Sequence, residues 1–142
     1  MSLMDFKALF PVIVEDLEEL TGTEVPKEKM DKVLREGLHI ILHELAHSFL
    51  VQSLPWLGSL EERQHVLVDE VLARFLERKV SKELHSFTES FEEQLQEMRM
   101  YSPLRDLDWT VDFYGRLYED FEEHISQGKS IETFAQKILE YC

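Results

Sequence analysis

The sequence predicts an all-α protein, a single-domain bundle of about six helices that spans residues 1–142. Apolar residues recur at helical spacing along most of the chain, and helix start and stop signals interrupt them at regular intervals. No Asn-Gly turn and no sustained two-residue alternation predicts a sheet. The 142 residues, 44% of them hydrophobic and only five of them glycine, are enough to bury one core.

Helix signals divide the chain into its predicted elements. In chain order these signals are Pro26, the capping-box pairs Ser59/Glu62 and Ser86/Glu89, Ser102-Pro103, and Gly128-Lys129-Ser130. The predicted helices cover about 4–21, 27–53, 59–80, 86–101, 103–127 and 130–141. The connection from Ser53 to Gly58 is short, so we expect the second and third helices to be antiparallel neighbours.

Composition limits the partners and the compartment. The formal charge of −14 and the lack of a basic cluster predict that neither nucleic acid nor an anionic membrane is a partner. Cys142 is the single cysteine, which fits a reducing compartment, and the cytoplasm is the simplest expectation. No secretory leader and no run of eighteen apolar residues is evident. Met1-Ser2-Leu3 has the character of a cloning remnant.

The second predicted helix is apolar around almost its whole circumference, so it is expected to be buried on most faces. The exception is a narrow polar stripe, whose members lie within about 60° of one another at 100° per residue. These residues are Glu36, His39, His43 and His47. Because an unpaired buried polar group costs about 1–3 kcal/mol, the stripe needs partners, and a metal ion is one such partner.

The stripe contains the sequence His43-Glu44-Leu45-Ala46-His47. Histidines at i and i+4 lie one above the other on a helix face and can bind one ion that prefers tetrahedral ligands, such as zinc. Glu44 is turned by about 100° around the axis, so it would lie beside the metal rather than on it. This position suits a general base that takes a proton from a metal-activated water.

A third ligand must come from another element, and Glu70 on the next helix is the candidate. By residue counting from the connection, Glu70 lies about one helical turn from the level of the histidines. Asp69 and His65 are the alternatives for this position. Glu70 also lies off the strongest apolar face of its helix, so a solvated surface acid is an equally open interpretation.

His43, Glu44, His47 and Glu70 together resemble the zincin metallopeptidases, and among them the gluzincins, over about residues 36 to 77. The resemblance implies that His43, His47 and Glu70 bind Zn²⁺, that Glu44 is the catalytic base, and that the substrate is a peptide or protein whose peptide or amide bond is hydrolysed. Position 74 is Arg, where many gluzincins have an acidic residue. Four side chains are candidates for the oxyanion-stabilising group of that family: Tyr101, Tyr114, Tyr118 and His124.

Two other classes of protein fit the same residues. Glu-x-x-His occurs three times, and helical carboxylate proteins use such pairs to bind two metals, in which case Glu44 would be a ligand. The pairs are Glu36/His39, Glu44/His47 and Glu62/His65. Alternatively, the chain is a helical interaction module with a structural metal or none, in which the histidines hydrogen-bond to carboxylates such as Glu36 and Asp69.

Overall fold

The computed structural model describes residues 38–83 and 88–142, with side chains from residue 42 onward. Within these ranges the protein is all-helical and contains no strand, which confirms the predicted fold class. The helices are α1 (Leu38–Ser53), α2 (Glu62–Glu83), α3 (Phe91–Arg99), α4 (Val111–Ser126) and α5 (Ile131–Leu139). Short 3₁₀ turns occur at Leu57–Ser59 and Ser102–Leu104. The predicted helix at 4–21, residues 27–37 of the next helix, and Glu36 lie outside the described residues, as does the side chain of His39.

Helices α1 and α2 form an antiparallel hairpin, as the short connection predicts. Side chains pair in opposite order along the two helices, because His43 contacts Glu77 whereas His47 contacts Asp69, four residues further along α1 and eight residues back along α2. The 3₁₀ turn at Leu57–Ser59 lies in the connection, and Leu54 and Leu57 are buried there. The polar face of α1 is therefore held against α2.

The core includes Leu42, Ala46 and Leu50 of α1, and a cluster of aromatic rings forms the part of it around Phe75. Phe75 of α2 is fully buried, and its ring lies 5.2–6.3 Å from four other aromatic rings. Those rings belong to Tyr114, Tyr118, Phe121 and Phe134. Because these residues come from α4 and α5, the same helix that carries Glu70 is fixed from behind by the last two helices.

Several predicted helix boundaries are wrong. α2 begins at Glu62 rather than 59, and α3 begins after Ser90, which accepts a hydrogen bond from the Glu93 backbone N–H and is the true N-cap. Thr88 and Glu89 precede that cap as non-helical residues, so a helix starting at 86 is excluded. A Ser90/Glu93 capping box therefore replaces the predicted Ser86/Glu89 pair, of which Ser86 lies outside the described residues.

The largest boundary error concerns the predicted helix at 103–127, which begins only at Val111. Leu107 and Trp109 are buried between exposed neighbours, which is the two-residue period of an extended segment. The Arg99 guanidinium donates hydrogen bonds to the carbonyls of both residues, at 3.0 and 2.6 Å, and so satisfies groups that a helix would have used internally. Thr110 then caps α4.

The stop and restart at 128–130 is confirmed. Gly128 has φ +75°, a left-handed conformation that glycine adopts without steric cost, and it follows the end of α4. The Ser130 side chain accepts a hydrogen bond from the Thr133 backbone N–H and starts α5. This turn brings Phe134 onto Phe75, so it helps to fix α2.

Candidate metal centre

The two motif histidines lie on one face of α1, as their spacing predicts. Their rings meet edge to face with centroids 4.5 Å apart, and the two Nε2 atoms are separated by 3.0 Å. Both side chains are partly buried, whereas Ala46 and Leu50 on the same helix are fully buried. The α1 backbone thus directs one nitrogen of each imidazole to a common point.

Glu70 of α2 brings a carboxylate to that point. Its Oε2 lies 3.7 Å from the Nε2 atom of His43, and its Oε1 lies 3.5 Å from the Nε2 atom of His47. Glu70 is only 5% exposed, so the interpretation as a solvated surface acid is wrong. His43, His47 and Glu70 form the one group of at least three His, Cys, Asp or Glu residues, among those described, whose ligand atoms all lie within 4.8 Å.

Two further carboxylates fix the imidazoles from behind. The Nδ1 atom of His43 lies 3.1 Å from Glu77 Oε2, and that of His47 lies 2.9 Å from Asp69 Oδ1. A carboxylate partner draws the ring proton to Nδ1 and leaves Nε2 as the lone-pair nitrogen, which is the arrangement of histidine ligands in metal proteins. Asp69 therefore lies behind the group rather than in it.

The geometry of the group fits a small tetrahedral ion. The two imidazole Nε2 atoms and the Glu70 carboxylate lie 3.0, 3.5 and 3.7 Å from one another. Ligands of zinc at about 2.05 Å in tetrahedral geometry lie about 3.3 Å apart, close to these separations. Three electron-rich groups at such distances repel one another unless a proton or a cation lies among them, so the group can hold a metal ion.

Arg74 occupies the second side of the Glu70 carboxylate. Its Nη1 donates a hydrogen bond to Glu70 Oε2, and its Nη2 lies 3.5 Å from Glu97 Oε2. Burial alone would lower the pKa of Arg74, but the charge and hydrogen bond of Glu70 outweigh it, and the pKa is raised. A permanent cation thus holds Glu70, while Glu77 supplies the carboxylate behind His43.

Protonation of His47 competes with metal binding. Burial alone would lower the pKa of this imidazole, yet the hydrogen bond to Asp69 and the negative charges of Asp69, Glu70 and Glu44 outweigh burial and raise it. A histidine must be neutral to bind a metal through Nε2, so acid weakens the site. The same negative field also attracts a divalent cation.

The remaining sequence candidates are spread over the molecule. Glu44 is exposed, and its charge acts on His47, but it is not among the residues that line the cavity beside His43. Glu62 is exposed and His65 half-buried, and neither belongs to the metal-binding group. The described residues therefore bring no second Glu-x-x-His pair to the site, as a two-metal protein would require.

Of the four candidates for an oxyanion-stabilising group, Tyr101 lies at the site. It lines the cavity beside His43, and burial, followed by the nearby Glu70 carboxylate, raises its pKa. Tyr114 is instead fully buried with its hydroxyl donating to Gln94, and Tyr118 is buried against Phe75. His124 Nε2 lies 2.7 Å from the Ser130 carbonyl, to which it donates, and 2.9 Å from the Thr133 hydroxyl at the start of α5.

The cavity beside His43 has a volume of about 490 Å³. Its other lining residues are Arg74, Glu77, Glu89, Glu97, Met100 and Tyr101. Burial raises the pKa of Glu89 to about 8, with further contributions from a hydrogen bond to Glu97 and the negative charges of Glu97 and Glu77. Sequence reasoning missed Glu77, although its position two helical turns after Glu70 on the same helix face was a usable signal.

Comparison of the chain with protein-family models, curated proteins and solved structures finds no match. The class of protein that the fold and the site define is therefore an all-α protein with a His/Glu group able to hold a metal ion. No helix within residues 38–83 and 88–142 combines the length and the apolar character needed to span a bilayer.

Proposed function

We propose that the protein is a zinc-dependent hydrolase that cleaves a peptide or amide bond. The observation that carries the proposal is the convergence of two Nε2 lone pairs and one carboxylate, with both imidazoles oriented by carboxylates at Nδ1. Nitrogen and oxygen donors of this kind, three in number, are typical of catalytic zinc sites, which keep a fourth position open. Bound zinc would lower the pKa of a coordinated water to about 7 and polarise a carbonyl group.

The chain's own residues supply the remaining functions. Asp69 and Glu77 hold the two imidazoles in the ligating tautomer, and Arg74 holds the Glu70 carboxylate. Glu44 acts as the base that accepts the proton of the attacking water, a role supported by its position directly after His43 in the sequence and by the effect of its charge on His47. Tyr101 donates its phenolic proton in a hydrogen bond to the oxygen that becomes negative, since it lies at the cavity wall near Glu70.

The access to His43 favours a catalytic ion over a purely structural one. The side chain of His43 lines the cavity of about 490 Å³, and this volume lies in the range of about 300–1,000 Å³ that ligand sites occupy. A structural zinc is enclosed by four protein ligands, whereas the described residues bring three to this point. A substrate carbonyl would thus have a route to the ion.

Glu44→Gln tests the proposal, because it keeps the size of the side chain and removes its ability to take a proton. We expect about one zinc per chain in wild type and variant, an unchanged melting temperature, and a loss of at least about 10²–10⁴-fold in cleavage of a mixed peptide library. Glu62→Gln, an exposed change at the start of α2, is the matched control and should cleave like wild type.

Three results would contradict parts of the proposal in different ways. Absence of zinc from protein expressed with added zinc would refute the metal site. Loss of zinc from Glu44→Gln would make Glu44 a ligand, as in a two-metal carboxylate protein. A zinc-loaded wild type that cleaves no member of the library would make the metal structural.

A further inference from the structure

The cavity beside His43 is chemically divided between its mouth and its depth. Met100 and Tyr101 are exposed by 82% and 41% and present apolar and aromatic surface. Glu77 and Glu89 are buried, with 5% and 8% exposure, and carry carboxylates. A ligand that fits both parts needs an apolar stem and a polar head.

Acidic groups outnumber basic groups in the lining of the cavity. Three lining acids, Glu77, Glu89 and Glu97, face one guanidinium, that of Arg74, and Glu97 lies nearer the mouth because its side chain is 43% exposed. Arg74 is already committed to Glu70 and Glu97, and Glu77 contacts His43. Burial, followed by the hydrogen bond to Glu97 and the negative charges of Glu97 and Glu77, raises the pKa of Glu89 to about 8. Glu89 therefore keeps a proton at neutral pH and shares it with Glu97 in a hydrogen bond, and a bound cation would take the place of that proton.

Arg74 provides an independent sign of a ligand. It is only 4% exposed and lines the same cavity, yet its Nε has no hydrogen-bond partner among the described residues. A buried donor without an acceptor costs about 1–3 kcal/mol, and a carbonyl oxygen of a ligand at this wall would remove that cost. The cavity therefore offers sites for an acceptor as well as for a cation.

We propose that this cavity binds a lysine or arginine side chain of a peptide segment, its aliphatic stem against Met100 and Tyr101 and its cationic head at Glu89 and Glu97. Long basic side chains pack their methylene groups on apolar surface while the charge reaches a polar group. An aromatic ring at the mouth also favours a cation that passes it. This inference rests on the proposed function, in which the peptide segment would be the substrate and the basic residue would lie next to the cleaved bond.

The test compares two probes that differ only in charge. N-acetyl-lysine methylamide and the uncharged N-acetyl-norleucine methylamide are titrated into the zinc-loaded full chain, and binding is followed by NMR shifts. We expect the lysine probe to bind at least about tenfold more tightly. Glu89→Gln and Glu97→Gln should each reduce this preference by at least about threefold. Glu92→Gln is an exposed change at the start of α3, the helix that carries Glu97, and should leave the preference unchanged.

Binding separates failure of this inference from failure of the proposed function. Equal affinities for the two probes, no binding of either, or a lysine preference that survives both Glu89→Gln and Glu97→Gln would overturn the cavity assignment. Lysine-selective binding without any peptide cleavage would support the assignment and refute the hydrolase. Equal rates of cleavage for peptides with and without a basic residue, together with equal affinities for the two probes, would support the hydrolase and overturn the cavity assignment.

Discussion

Glu70→Gln is the sharpest perturbation of the metal-binding group, because it keeps the shape of the side chain while removing its charge. Glu70 is the one acidic member of the group, and its oxygens lie 3.5 and 3.7 Å from the two Nε2 atoms. The substitution replaces an anionic ligand with a neutral amide. It also takes from Arg74 a buried ion-pair partner, so the metal-free protein should lose stability as well.

The expected loss of zinc affinity can be compared with the loss of a carboxylate behind one of the histidines, Asp69 or Glu77. Loss of such a partner costs about 10–100-fold in metal affinity, so we expect about this effect for Asp69→Asn. Loss of a direct anionic ligand should exceed it, by our estimate about 10³-fold or more, equal to about 4 kcal/mol. At a free zinc concentration that saturates both wild type and variant, the stabilisation by the metal falls by the same amount. In a chain of this size that corresponds to about 13 °C in the zinc-dependent rise of Tm.

Affinity is measured by competition with a chromophoric zinc chelator, and Tm by calorimetry with and without buffered zinc. The change in Tm of the metal-free protein reports the loss of the ion pair between Glu70 and Arg74. The change in the Tm increase caused by zinc reports the loss of Glu70 as a metal ligand. Glu62→Gln controls for loss of one negative charge on the same helix. Zinc affinity in Glu70→Gln within threefold of wild type, or a greater loss in Asp69→Asn, would remove Glu70 from the set of ligands.

Three other changes test the surrounding structure. Glu89 keeps its proton in the folded state between its unfolded pKa of about 4.5 and its folded value of about 8, so stability falls as pH rises through this window. Glu89→Gln should therefore raise the free energy of unfolding in urea by about 1–2 kcal/mol at about pH 8.5 and by much less at about pH 5; equal changes would contradict the assignment. Gly128→Ala should destabilise by about 1 kcal/mol in the same assay because of its φ of +75°, and an unchanged midpoint would refute that strain. Phe75→Ala should cost about 3–5 kcal/mol, and a loss below about 1 kcal/mol would show that Phe75 is not central to the core.

The part of the site that the sequence predicts is the part set by local spacing. His43 and His47 are four residues apart on one helix, so their proximity follows from helical geometry alone. Glu70 required one further step, the antiparallel hairpin, which the short connection makes predictable. The end of α4 and the start of α5 near Gly128 could also be predicted from neighbouring residues alone. A glycine that ends one helix in a left-handed turn and a serine that caps the next are both recognisable in the sequence.

The parts that the sequence did not predict depend on the rotation of α2 about its axis and on contacts between distant residues. Counting from the connection gives the level of Glu70, but only the packed rotation shows that Glu77 reaches His43 and that Arg74 reaches Glu70. The predicted helix start at 103 was wrong for a related reason, because the segment before α4 is extended. Its extended form depends on Arg99, eight and ten residues away from the carbonyls that it binds.

The centre is confined to one helical hairpin, since the three metal-binding side chains and the two carboxylates behind them all lie between His43 and Glu77. An ion there would bind side chains of two neighbouring helices and so link them. Because the loop that this link closes is short, the entropic cost of closing it would be small. The aromatic cluster around Phe75 joins the opposite side of α2 to α4 and α5. Gain or loss of the ion would thus act directly on the contact between α1 and α2, whereas the aromatic contacts of α2 with α4 and α5 contain no metal-binding side chain.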